Sequence, residues 1–521
     1  MKAMLPRELI ERCARNFPNK VAYYHGTRSR TWAQMHSRSD AVAGMLQSLG
    51  IGQGDAVAII GFEGFEIYEH FFACMKIGAI RVGLNRRYPA LELLALIQDC
   101  KAKALLVQAG FEESIASIRK DLEALRVDVI GYGGQHGFEN DYESHLAHSR
   151  SPVLPAVRGD DALFYTYTSG TTGTPKGIVV SHEGTVAMLM QLMLVRGLSP
   201  DDIVYIPSQS SWVTVVMLVL GLMNGLANVL PEGEFSIDRY LEDIQRLRVT
   251  VASFLPTVMR RAIRRQRECR YDLSSLRLVT YGSAPASQEL VRQAWEVFGC
   301  EMLQAYGCTE AGGWVTVLTP ADHRRAIEVQ PALLGSVGRA GVLYEVSIRN
   351  ENAEEVATGV AGEIWIRGPS LMKGYLNLPE QTREVMRGDW LSTNDIGRLD
   401  ADGYLYLLDR KKFLIITGGV NVFPSAVEAV LHSHASVHEA AVVGVPHPEW
   451  GEAVVAMVEV GAGAAPSELE LIKFCQLRLS KPECPKRIVF EEIPKSANGK
   501  VDKLVLRNRL LSKSADLWGS S

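Results

Sequence analysis

Residues 166–177 read Thr-Tyr-Thr-Ser-Gly-Thr-Thr-Gly-Thr-Pro-Lys-Gly and follow the apolar run Ala162-Leu163-Phe164. Gly170 and Gly173 let the backbone turn tightly and bring amide N–H groups close to an anion. Thr168, Ser169, Thr171 and Thr172 add hydroxyl donors, and Lys176 adds a mobile positive charge. Together these groups can hold a polyphosphate. The loop is not the usual P-loop, which ends in Gly-Lys-Ser/Thr. Pro175 stands where that second glycine belongs, and Gly177 replaces the Mg-binding hydroxyl. Any triphosphate chemistry here is therefore of another kind.

Three further constellations carry chemical groups. Gln304-Ala305-Tyr306-Gly307-Cys308-Thr309-Glu310 follows the strand-like run Glu301-Met302-Leu303. A carboxylate at a strand's C-terminal end can hold Mg²⁺, which favours a carboxylate or two plus phosphate oxygens. Tyr306 offers a flat face to a base. Ser392-Thr393-Asn394-Asp395-Ile396-Gly397, with Arg410 downstream, puts an acid after a turn, where it can accept both hydroxyls of a ribose. In Ile493-Pro494-Lys495-Ser496-Ala497-Asn498-Gly499-Lys500, the Asn-Gly turn signal sets Lys500 on a loop tip. Singly, each is ordinary: a loop acid, a turn carboxylate, a surface lysine.

These groups need a scaffold, and the chain's 521 residues are too many for one ordinary core. Segments 7–15, 31–49 and 63–77 read as helices. They alternate with buried strands at Ala56-Val57-Ala58-Ile59-Ile60, Ala104-Leu105-Leu106-Val107 and Val127-Asp128-Val129-Ile130. Such alternation predicts parallel sheets covered by helices, and it recurs beyond the loop in strands near 226–230, 251–254, 276–280 and 301–303. From 337 to 408 the texture changes to short strands and turns, a mostly antiparallel unit. After the charged break Asp409-Arg410-Lys411-Lys412 comes a small domain with helices near 424–433 and 468–478 and strands near 439–445, 453–460 and 487–491. The fold class is α/β: a large N-terminal domain of parallel and mixed sheets covered by helices, with a small β-barrel-like subdomain, then a small mobile α+β C-terminal domain. The expected boundaries are 1–409, a hinge at 410–412, 413–512 and a tail at 513–521.

A net charge of −4 gives no pull toward nucleic acid or an anionic membrane. The uncharged stretch 212–230 is long enough to span a bilayer, but Gly221, Asn224, Gly225 and Asn228 and the lack of basic flanks favour a buried core helix. Eight scattered cysteines without a C-x-x-C pair argue against zinc and fit a reducing compartment. With no apolar leader at the N-terminus, the expected location is the cytoplasm.

Together, the four motifs resemble the AMP-forming adenylating enzymes: acyl-CoA synthetases, stand-alone adenylation domains and beetle luciferases. The resemblance spans nearly the whole chain, with the motifs in the family's order, and acyl- or aryl-CoA ligases are its nearest type. It implies a two-step reaction, in which a carboxylate attacks the α-phosphorus of ATP and a thiol, commonly that of coenzyme A, then displaces AMP. It also implies residue roles. Thr168, Ser169, Gly170, Thr171, Thr172, Gly173 and Lys176 wrap the outer phosphates. Gly282, Ala284, Pro285, Gln304, Ala305, Tyr306 and Gly307 frame the nucleotide. Thr309, Glu310 and Lys500 are the catalytic residues, Glu310 holding Mg²⁺. Asp395 takes the ribose with Arg410 nearby, Lys412 is the hinge, and Gly418 and Gly419 line the thiol tunnel. Lys500 bridges carboxylate and α-phosphate.

The acyl pocket expected from the same resemblance comprises Ser210, Trp212, Val216, Tyr281, Ser283, Cys308, Gly312 and Gly313. These are apolar or small, which suits an apolar or aromatic acid. Ser210 departs from the aromatic residue usual there, and Asn394 departs from the common Gly. No aspartate stands in the region where amino-acid-activating members carry one, so an α-amino acid is disfavoured. A carrier-protein thiol or an amine remains an alternative acceptor, and a homodimer an open assembly.

Overall fold

The computed structural model describes residues 4–168, 175–461, 466–495 and 501–512. The chain forms two compact units. The first takes in the described residues up to Val346, with Ile366–Leu391 and Gly403–Leu405; the second takes in Ser347–Trp365, Ser392–Asp402 and the described residues from Tyr406 onward.

Among the described residues, the first unit contains a nine-stranded and an eight-stranded sheet. The eight-stranded sheet runs in the order Gly374–Tyr375, Lys176–Ser181, Ala162–Thr168, Ile80–Gly83, Ala56–Ile60, Ala104–Gln108, Asp128–Tyr132, Asn140–Asp141. Its inner strands pair in parallel. All of Ala56–Ile60 is buried, because helices cover both faces; Leu93, Leu96 and Ile97 pack on one of them. The nine-stranded sheet is parallel through Val21–His25, Ala227–Leu230, Ile203–Tyr205, Val251–Phe254, Leu278–Gly282 and Glu301–Tyr306.

Helix boundaries follow local chemistry. Thr31 caps Trp32–Ser48 in a capping box with Gln34. Ser181 caps His182–Arg196, and Gly197 ends it in the left-handed region at φ 53°. The 212–230 stretch differs from the expected core helix. It is a 3-10 helix at Val213–Met223, non-helical at Val219, then a strand at Ala227–Leu230. Valines at 213, 215, 216 and 219 disfavour an α-helix, and Asn224-Gly225 turns the chain, with Gly225 at φ 81°. No helix among the described residues is long and apolar enough to cross a membrane.

The second unit has its own core on both faces of the paired strands Val437–His447 and Gly451–Val460. Val442, Val454, Ala456 and Val458 meet Val427, Leu431, Leu471 and Cys475 on one face. Ala441, Val443, Val455 and Met457 meet Leu506 and Leu510 on the other. The period-two alternation of a strand is what splits them.

Candidate active site

The glycine-rich segment joins two antiparallel strands, Ala162–Thr168 and Lys176–Ser181, with Thr168 opposite Lys176. Ser169, Gly170, Thr171, Thr172 and Gly173 lie outside the described residues. The Lys176 ammonium stands 4.9 Å from the ring centroid of Tyr375. Tyr375 gets there because Gly374–Tyr375 pairs antiparallel with Ile178 and Val179. Its hydroxyl donates to Oε1 of Glu310 at 3.0 Å. Burial first, and the Glu310 charge second, push the phenol well above its usual range and keep it a donor. Lys176 and Glu310 thus share a contact through a tyrosine that sequence reading missed. Tyr375 carries no local motif; only its pairing with the Lys176 strand reveals it.

Glu310 is set by the turn after Glu301–Tyr306. Gly307 is required there, since a Cβ would fall 1.4 Å from the carbonyl oxygen of Gly313. The chain then enters the short 3-10 helix Thr309–Ala311, and Met372 N–H donates to the Glu310 carbonyl at 2.8 Å.

Strands Leu278–Gly282 and Glu301–Tyr306 are parallel neighbours, with Tyr281 opposite Gln304 and Gly282 opposite Ala305. Gly282, Ser283, Ala284 and Pro285 therefore leave the same sheet edge as Tyr306 and Gly307. That carboxyl edge is where open α/β sheets take ligands. Ser283 adopts φ 65°, an uncommon conformation for a side chain.

The expected acid pocket is partly polar. Val216 is buried, and Trp212, Cys308, Gly312 and Gly313 are half-buried. The buried Tyr281 hydroxyl lies 2.9 Å from Nε2 of His323, whose Nδ1 donates to the Thr319 carbonyl. Burial lowers the His323 pKa to about 4, which leaves the ring neutral at neutral pH. Ser210 N–H donates to Glu63 at 2.6 Å, on a pocket also lined by Arg86, Arg87 and Gln209.

In the second unit, Asp395 and Arg410 pair at 2.8 Å. Asn394 sits at φ 58°, which explains a position where Gly is common; Asn tolerates this region better than most side chains. A parallel pair, Glu363 with Lys411 at 3.1 Å, was not expected. Lys412 lies 4.6 Å from the Phe413 centroid, its pKa lowered by burial and then by Arg410. Gly418 and Gly419 turn between Ile415–Thr417 and Val420–Val422 at φ 56° and 78°. Lys500 lies outside the described residues.

No group of three or more His, Cys, Asp or Glu side chains that could hold a metal occurs among the described residues. Glu310 offers one carboxylate. This fits Mg²⁺, which draws its other ligands from phosphate oxygens and water.

Comparison with known proteins agrees with this arrangement. Residues 10–376 match the family described as AMP-binding enzyme, and 426–500 match the AMP-binding enzyme C-terminal domain. The chain is 30% identical to an indoleacetate–CoA ligase of Aromatoleum aromaticum, over 97% of this chain and 98% of that protein. It is 32% identical to a feruloyl-CoA synthase of an Amycolatopsis species, over 96% and 97% respectively. It superposes on the amide bond synthetase McbA from Marinactinospora thermotolerans with a TM-score of 0.86 and 32% identity, over 97% of this chain and 100% of that one. These matches, which run over nearly the whole chain, establish that it belongs to the AMP-binding enzyme family.

Proposed function

We propose that this chain activates a carboxylic acid with ATP, forming acyl-AMP and pyrophosphate, and then passes the acyl group to the thiol of coenzyme A. The observation that carries the reading is Lys176, Tyr375 and Glu310 meeting beside the carboxyl edge of the parallel sheet. Lys176 neutralises the outer phosphates that leave as pyrophosphate. Tyr375 fixes one oxygen of Glu310 and leaves the other for a cation. A Mg²⁺ ion at Glu310 would offset triphosphate charge. Asp395 accepts the ribose hydroxyls, and Arg410 holds that carboxylate in place. The substrate carboxylate is already ionised at neutral pH, so attack on the α-phosphorus needs no general base. Lys500 meets the charge that develops there, a contact worth roughly 3–4 kcal/mol of barrier. In the second step the thiol attacks the acyl carbonyl and AMP departs. Lys412 serves as the hinge between the steps, within the expected 410–412 boundary, and Gly418-Gly419 borders the acceptor path.

A coenzyme A acceptor is supported by the two ligase relatives; McbA, an amide bond synthetase, favours an amine as the second reading. Pyrophosphate release should require acid and ATP alone. Adding coenzyme A, a phosphopantetheine-loaded carrier protein or an amine should then show product only with coenzyme A. Lys500→Ala should abolish adenylate formation while sparing thioester formation from supplied acyl-AMP. Release of ADP, or equal loss of both half-reactions, would overturn the assignment.

A further inference from the structure

Helix His182–Arg196 ends in a buried cation. Arg196 is 2% exposed. Its guanidinium carbon lies 4.0 Å from the ring centroid of Trp314, and Nη2 reaches only the thioether of Met217 at 3.4 Å. Nε and Nη1 have no hydrogen-bond partner among the described residues. Burial lowers its pKa to about 9, so the group is still charged at neutral pH. No acid contributes to that shift. Gln191, on the same helix, is fully buried, and neither of its amide atoms has a partner among the described residues.

The same helix packs against an expected pocket residue, since a Cβ on Gly312 would fall 2.5 Å from Met188. Trp314 directly follows Gly312-Gly313, and Met217 directly follows Val216, all of them expected pocket residues. The Gln191 amide packs on Gly341, where a Cβ would fall 1.7 Å from Nε2; Gly341 N–H donates to the carbonyl of Val315, next to Trp314. The Trp314 face satisfies one side of the guanidinium. Nε and Nη1 remain without a partner among the described residues, and Nη2 meets only a thioether; guanidinium edges of this kind bind carboxylates in bidentate fashion. Leaving a buried charge without an anion is costly.

We propose that Arg196, assisted by Gln191, recognises a second anionic group on the substrate, so that the acid activated is a dicarboxylic acid with its far carboxylate at Arg196. This rests on the proposed reaction and names its substrate class. An acid with only an apolar tail would leave the guanidinium unmet, and polar sites reject such analogues strongly.

The test is pyrophosphate release across α,ω-dicarboxylic acids, each paired with the monoacid of equal chain length, using wild type, R196M, R196K and Q191L. Wild type should favour diacids at least ~100-fold in kcat/KM. R196M should collapse that ratio, mostly through the diacid's KM. R196K, a point charge without the fork, should fall between. If R196M fails to fold, the wild-type ratio decides alone. Equal kcat/KM for diacid and monoacid, with AMP released, would sink the Arg196 assignment and spare the reaction. A diacid preference accompanied by ADP would sink the reaction and support Arg196.

Discussion

Arg81 and Arg196 are both buried in the first unit, at 1% and 2% exposure, and both stack on an aromatic ring. Their surroundings differ in one respect. Burial lowers the Arg81 pKa, opposed by Tyr68 and then by the buried Glu63; its Nε and Nη2, like the Nε and Nη1 of Arg196, have no hydrogen-bond partner among the described residues. Glu63 in turn accepts from the Tyr68 hydroxyl at 2.5 Å and from Ser210 N–H at 2.6 Å. Arg196 has no such acid. A buried charge that feels an acid of its own chain is offset within the fold, whereas one that feels none is left for a ligand to offset.

The largest expected effect falls on the matched region. Glu63→Ala removes an acid whose field acts on Arg81 and strips the acceptor from Tyr68 and from Ser210. With two buried donors left unsatisfied, it should cost roughly 2–6 kcal/mol of unfolding free energy, read from denaturant midpoints at constant slope. A loss under about 1 kcal/mol would mean that Arg81 does not depend on Glu63, and the contrast with Arg196 would fail.

A smaller effect distinguishes the same region by pH. His70 is fully buried, and burial first, then Arg81, lowers its pKa from 6.5 to about 3. The folded state therefore binds fewer protons than the unfolded state across that window. Stability is complete above 6.5 and falls as pH drops toward about 3. The slope is about 1.4 kcal/mol per pH unit per imidazole. Comparing wild type with His70→Leu cancels the other titrating groups. The variant's stability should fall less steeply with acid by that amount, and parallel profiles would show that burial does not hold the His70 ring neutral.

Much of this molecule was legible in its sequence, for reasons that also mark where reading stops. Strands such as Ala56–Ile60 announce themselves because burial on both faces demands a continuous apolar run. Asp395 and Arg410 could be read together because they stand in one family motif, and they do pair. Tyr375 could not: its two-residue strand acquires meaning only beside Ile178 and Val179, which are remote in sequence. Arg196 was hidden differently. An arginine in the last helical turn before a glycine reads as a solvated complement to the helix dipole. Only the packing of Trp314 and Met217 against it shows that water is excluded.

The smallest effect tests the other half of the contrast. Arg196→Met removes a charge that no acid among the described residues matches and replaces it with a flexible apolar side chain beside Met217 and Trp314. Desolvation of the guanidinium is then avoided, while the loss is one cation–π contact worth about 0.5–2 kcal/mol. The two effects oppose, so the ligand-free variant should lie within about 1 kcal/mol of wild type or above it. A drop comparable to Glu63→Ala would show that Arg196 stabilises the fold as Arg81 does, and the two regions would then be alike. If stability holds, the cation is retained at a cost to the empty protein, which makes sense only if something negatively charged arrives during turnover.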